Sequence, residues 1–135
     1  TTIRNTAGNL NIYAGASILN AEFTSGPSDS LTPQYAPDYL VRTGFTYDYD
    51  QRFKLAFLGT LVDEHFADDG NSANRFIPSY KVWDLTAETT VWSKRISLVA
   101  GINNIFNENY YSRIRSNGIE PALPRNVYGG FVLRF

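Results

Sequence analysis

From Val127 to the carboxyl terminus, apolar and other positions alternate without a break. Val127, Gly129, Phe131, Leu133 and Phe135 fall on one side of an extended chain, and Asn126, Tyr128, Gly130, Val132 and Arg134 on the other. Side chains alternate across a strand, so this run is a β-strand with one greasy face. It continues to the last residue, where chain termini usually fray. The same two-residue period recurs upstream. Leu10, Ile12, Ala14, Ala16 and Ile18 oppose Asn11, Tyr13, Gly15 and Ser17, in a strand expected to reach about Phe23. Tyr39, Val41, Thr43, Phe45, Tyr47 and Tyr49 oppose Leu40, Arg42, Gly44, Thr46 and Asp48. Phe53, Leu55, Phe57, Gly59 and Leu61 oppose Lys54, Ala56, Leu58 and Thr60, and that strand runs out near Phe66. Trp83, Leu85, Ala87, Thr89 and Val91 form a fifth face, and Ile96, Leu98, Ala100 and Ile102 a sixth. No helical period interrupts them.

The connections alternate as strictly as the side chains. Asp50-Gln51 and Ser93-Lys94 are tight turns, whereas 24–37, 67–78 and 107–124 are long polar loops. Residues Thr1 to Gly8 read as the end of one more strand and a turn. Sandwich strands average about six residues, and several here exceed ten. Strands of about 9–11 residues cross a bilayer when tilted, and membrane barrels pair short turns on one side with long loops on the other. The second face carries Arg42, Asp84, Glu88, Arg95 and Arg134, which suits a wet lumen better than a sandwich core. The fold expected is all-β: an antiparallel meander of about six long strands, the carboxyl-terminal part of a transmembrane β-barrel. Aromatic residues near the strand ends fit interfacial girdles, with Tyr49, Phe53, Trp92 and Phe135 at one and Phe23, Phe66, Phe106 and Tyr110 at the other. Six strands do not close a barrel, since single-chain barrels begin at about eight. An open edge in lipid would strand backbone groups at several kcal/mol each. The chain therefore reads as the tail of something longer, beginning Thr1-Thr2-Ile3-Arg4.

Composition narrows the function. The net charge of −1 gives no general pull toward nucleic acid. The absence of Cys leaves no disulfide or thiolate metal site. With one His, and Ser25, Ser28 and Ser30 in a loop without a nucleophile-elbow context, no catalytic constellation is visible, and no enzyme is expected. His65 lies near Asp63, Glu64, Asp68 and Asp69, but Asp68-Asp69-Gly70-Asn71 lacks the alternation of a calcium loop, so a solvated strand end is the better reading.

Three features lie close together near the end. They are Ala100-Gly101-Ile102-Asn103-Asn104-Ile105-Phe106, the Tyr110-Tyr111 loop, and Arg125, Tyr128 and Gly130 ahead of the terminal aromatic strand. Together they resemble the closing hairpin of TonB-dependent outer-membrane receptors, the ligand-gated transporters of Gram-negative bacteria. Tyr110-Tyr111-Ser112-Arg113 is most similar to the ferric-citrate and ferric-siderophore branch. The resemblance covers essentially the whole chain as the last six barrel strands. It implies outer-membrane lipid around the chain, further barrel strands, an amino-terminal plug domain and a TonB contact outside these residues, and a transported ferric chelate. No cofactor is implied for this segment. Tyr128, Gly130, Leu133 and Phe135 resemble the carboxyl-terminal signal read by the barrel-assembly machinery.

If the chain is such a receptor, the last loop offers ligand-binding candidates. Arg113 and Arg115, beside Tyr110, Tyr111 and Asn117, suit an anionic chelate because guanidinium groups bind carboxylates in bidentate fashion. Arg42 on the lumen face has the same capacity. The plainer reading is a solvated loop in which the arginines pair with Glu108 or Glu120. Asp84, Glu88, Arg95 and Arg134 are read as lumen ladder pairs or plug contacts. Two other classes remain open: a small structural or adhesive outer-membrane barrel completed by oligomerisation, and a soluble ligand-binding β-barrel.

Overall fold

The computed structural model describes residues 1–5, 8–50, 52–92 and 95–133. Gln51, the Ser93-Lys94 turn, Arg134 and Phe135 lie outside the described residues, as does the Trp92 side chain. In chain order the elements are β1 (Thr2–Asn5), β2 (Gly8–Ile18), β3 (Tyr39–Tyr49), β4 (Phe53–Val62), β5 (His65–Phe66), a 3-10 turn (Ala73–Arg75), β6 (Phe76–Ile77), β7 (Tyr80–Trp92), β8 (Ile96–Asn103), β9 (Tyr111–Arg115), β10 (Gly118–Pro121) and β11 (Asn126–Leu133). Among the described residues, β1-β2-β3-β4-β7-β8-β11 form one seven-stranded sheet, every neighbour antiparallel. The six long strands and the preceding strand end are thus present, in a simple meander.

The registers carry the apolar set straight across. Ile12 pairs with Phe45, Phe45 with Phe57, Phe57 with Leu85, Leu85 with Ile102, and Ile102 with Val127. Residues opposite each other share a face, and a one-residue slip would throw the whole set to the other side. A parallel row on the second face runs Asn11, Thr46, Ala56, Thr86, Gly101, Tyr128. Aromatic stacking reinforces the apolar side. The Phe57 and Trp83 rings lie 5.0 Å apart and nearly parallel, and Phe45 sits 5.7 Å from Phe57. Such pairs contribute about 0.5–1.5 kcal/mol beyond their area.

Two glycines are explained by what lies over them. A Cβ on Gly59 would stand 2.5 Å from the Trp83 ring, and one on Gly101 would collide with the Tyr128 ring. Each aromatic lies across its register partner. By crossing Gly101, the Tyr128 hydroxyl reaches Thr86 Oγ1 on β7 at 2.7 Å. The two aromatics bind adjacent strands on opposite faces of the sheet.

Among the described residues, no second layer packs on this sheet. On the apolar face Ile12, Tyr49, Leu98, Phe131 and Val127 are between 46% and 76% exposed. The buried hydrophobic residues Ala67, Ile77 and Ile114 cluster instead among the loops, with Tyr80 against them. A sheet this apolar on one side needs another apolar phase, whether protein or lipid.

Three expectations need correction. β2 stops at Ile18 rather than near Phe23, and β4 at Val62 rather than Phe66. Their partner β3 begins at Tyr39, so nothing remains to pair with; Leu19 N–H to Asp38 O and Asp63 N–H to Tyr39 O close the ladders. His65 and Phe66 then pair with Ile77 and Phe76 inside the loop. The last loop is likewise structured, because β9 and β10 form a hairpin of their own.

Candidate functional site

The three long connections meet at one end of the sheet, and polar side chains join them. Asn71, in a left-handed conformation, accepts from the Thr32 N–H at 2.9 Å and donates to the Thr32 carbonyl at 2.8 Å. This double clasp ties the second loop to the first. Asp69 accepts the Gln34 N–H at 2.9 Å, and the Phe66 carbonyl accepts the Tyr35 N–H at 2.7 Å. Asp68 takes the Ser72 hydroxyl at 2.7 Å and the Ser72 N–H at 3.0 Å, which holds its carboxyl below the usual carboxylate value. The third loop joins through Tyr35, whose hydroxyl donates to the Ile114 carbonyl at 3.1 Å. Ile114 then packs with Ala67 and Ile77. A buried apolar cluster fed by separate loops holds them more rigidly than isolated hydrogen bonds would.

The root of the third loop is Asn104, only 3% exposed and at φ 53°. Its N–H donates to Asp84 Oδ1 at 2.8 Å. Its side-chain amide donates to the Glu108 carbonyl at 2.9 Å and the Leu123 carbonyl at 3.3 Å, while its Oδ1 accepts the Glu108 N–H at 2.8 Å. Asn107, also left-handed, accepts the Arg125 N–H at 3.0 Å. One buried asparagine thus binds the outgoing arm, the returning arm and β7. Asn tolerates the left-handed region better than most residues, which gives the Asn103-Asn104-Ile105-Phe106-Asn107 stretch a physical reason. Asp84, read from the sequence as a ladder or plug contact, accepts the N–H that anchors this turn. The sequence cue for it was the pair of asparagines; its partner on β7 was not visible.

The predicted ligand-binding residues are spread across this end. Tyr110 stacks on Tyr80 at 4.2 Å. Tyr80 belongs to the Ser17, Leu40, Val62 row of the second face, so Tyr110 leaves the aromatic girdle expected for it. Burial pushes the Tyr110 phenol above its usual value, and the Asp84 carboxylate adds to the shift. It is therefore a hydroxyl donor at neutral pH. Tyr111, Arg113 and Arg115 are exposed on β9, and Asn117 is exposed at the hairpin tip. Arg115 Nε pairs with Glu120 Oε1 at 2.6 Å across the hairpin, whereas Arg113 has no ion-pair partner among the described residues. Arg42 is exposed in the body of β3, in the row of Gly15 and Thr60, apart from the hairpin. His65 Nδ1 lies 2.9 Å from the Asp63 carbonyl, and its ring is 6.1 Å from Tyr35. Tyr128 and Gly130 alternate with Leu133 on the terminal strand.

No family model and no curated protein matches the chain. Solved structures do. The ferric citrate transporter FecA in its unliganded form superposes with a TM-score of 0.79 at 24% identity, over 91% of this chain and 21% of the transporter. The siderophore receptor PiuA from Acinetobacter baumannii gives 0.77 at 20% identity, over 95% and 20% respectively. The ferric yersiniabactin uptake receptor FyuA from Yersinia pestis gives 0.72 at 17% identity, over 96% and 21%. The chain therefore has the fold of a β-barrel segment, and it spans about a fifth of the length of each structure it matches.

Proposed function

We propose that the chain is the carboxyl-terminal barrel segment of a TonB-dependent outer-membrane receptor that takes up a ferric siderophore or a similar iron chelate. One observation carries the reading: a meander with an uncovered apolar face and a polar opposite face, shaped like part of an iron-chelate transporter barrel. A soluble ligand-binding barrel would place the apolar side chains inward, away from water. The apolar face here suits lipid, and the Thr86, Tyr128, Asn11, Thr46 face suits a water-filled lumen or a plug domain. The named neighbours are a transporter and receptors, which favours transport over catalysis.

In this reading the chain is completed by further barrel strands, a plug domain and, through the latter, TonB. Tyr128, Gly130, Leu133 and Phe135 would be read by the barrel-assembly machinery. The joined loops face the cell exterior. Arg113 is the leading contact for a chelate carboxylate because its guanidinium is uncommitted. Tyr111 and Asn117 lie on the same hairpin, Arg115 is a second cation once released from Glu120, and Tyr110 and Arg42 lie toward the lumen.

The test is uptake of radiolabelled ferric chelates by cells carrying the complete receptor gene, a strain deleted for it, and a TonB-deficient strain. Uptake lost in both mutant strains supports the proposal. Equal uptake in all three overturns it.

A further inference from the structure

Every described position that the registers place on the apolar face is uncharged, except Lys81. It stands in the row of Ala16, Val41 and Leu61, one residue inside the loop end of β7. Its side chain is exposed and has no ion-pair partner among the described residues. A lysine on a barrel's lipid face is costly at the midplane but nearly neutral at the rim. At that depth its ammonium reaches the headgroup layer.

The surroundings of Lys81 are not those of a lysine simply extending into water. It lines a cavity of about 170 Å³ with Tyr39, Leu61, Ser79, Tyr80 and Glu108. Tyr39 and Ser79 bring hydroxyl-bearing residues to the lining, and Leu61 an apolar one. An ammonium beside hydroxyl groups, above an apolar slope, complements a phosphate carried on acyl chains. Glu108 works against it. Its backbone is held by Asn104, which keeps Glu108 in the cavity lining, and a carboxylate there would repel a second negative charge.

We infer that Lys81 holds the phosphate of an anionic membrane lipid in the leaflet beside the loop end of the sheet, with Tyr39 and Ser79 as neutral partners and Glu108 limiting the affinity. This rests on the membrane-barrel reading above. It assigns a lipid-selective position to the apolar side of the sheet at its loop end, where Tyr80 of the second face and Glu108 of the third loop border the same cavity.

Trp83 supplies a reporter, two residues along the same face, roughly 7 Å away at strand spacing. The experiment uses the assembled barrel with Trp83 as its only tryptophan, in phosphatidylcholine vesicles containing either brominated phosphatidylglycerol or brominated phosphatidylcholine at equal mole fraction. Bromine quenches indole fluorescence on contact, so the ratio of the two reports local enrichment of anionic lipid. One lysine at a membrane surface corresponds to about fivefold enrichment. The expected result is stronger quenching by the anionic lipid, lost in Lys81→Gln, increased in Glu108→Gln, and reduced at high salt. Equal quenching by both lipids in the parent protein overturns the inference and leaves the membrane reading intact. Anionic selectivity that survives Lys81→Gln also overturns it. No quenching by either lipid means the apolar face is not in lipid, and then both readings fall.

Discussion

The backbone N–H of Asn104 donates to Asp84 Oδ1 at 2.8 Å, joining the first residue past β8 to the second face of β7. Both arms of the last loop then hang on the same asparagine side chain. Asn104→Ala removes the three side-chain bonds and puts a Cβ residue without a polar end at φ 53°. Unsatisfied buried groups cost about 1–3 kcal/mol each. Asn104→Gly keeps the backbone geometry and loses the bonds alone. Hydrogen exchange over 105–125 should rise in both variants, more in Ala. Unchanged protection in Asn104→Ala would mean the hairpin is held by its other contacts, the Ile114 cluster, the Tyr80–Tyr110 stack and the Asn107–Arg125 bond.

The Asp68–Ser72 contact makes the loop assembly sensitive to acid. The Ser72 hydroxyl holds the folded Asp68 carboxyl below the ordinary aspartate value, so the contribution is present above the unfolded pKa and lost as pH falls through the lower folded one. Protease nicking within 67–75 should therefore increase only in strong acid. Asp68→Asn should show the nicked pattern at neutral pH. A nicking profile identical in both proteins across that range would remove Asp68 from the account.

Tyr128 crossing Gly101 predicts a coupled pair. Gly101→Ala forces the ring aside and should cost roughly 1–3 kcal/mol, the scale of overpacking. In Gly101→Ala/Tyr128→Ala the added methyl has no ring to meet, so the cost of the double variant should fall short of the sum of the singles. Urea unfolding of the assembled barrel measures all three. Additive costs would place the strain elsewhere.

The two faces should respond differently to charge. Leu85→Arg faces lipid in the proposed barrel and should cost about 2–4 kcal/mol near the midplane. Thr86→Arg on the adjacent strand position should cost less, although it gives up the Tyr128 hydroxyl contact. Equal damage would mean both faces are packed by protein.

Ligand binding should separate the two hairpin arginines. Charge-assisted hydrogen bonds contribute roughly 1.5–3 kcal/mol, so Arg113→Ala should weaken ferric-chelate binding by about tenfold or more. Arg115→Ala should weaken it less, because its guanidinium already pairs with Glu120 at 2.6 Å. Phe135→Ala should lower the amount of assembled barrel while leaving its affinity unchanged. Radiolabelled-iron binding, normalised to heat-modifiable barrel in membranes, reads all three. Unchanged affinity in both arginine variants would return them to a solvated loop.

The strands were legible in the sequence because their cause is local. A two-residue apolar period defines both the strand and its face, and the register pairs Phe45 with Phe57 and Leu85 with Ile102 as the alternation requires. The positions of the short and long connections followed from the same breaks in period. The strand ends at Ile18 and Val62 were not legible, because a strand stops where its neighbour stops. Nor was the architecture of the loops. Asn71 with Thr32, Tyr35 with Ile114 and Asn104 with Asp84 join residues 39, 79 and 20 positions apart. Such bonds leave no periodic trace, and only the folded sheet brings their partners within reach. The lone charge among the described positions of the apolar face is a mixed case: the sequence contains Lys81, but the pairing of β4 with β7 decides that it stands beside Leu61 at the rim.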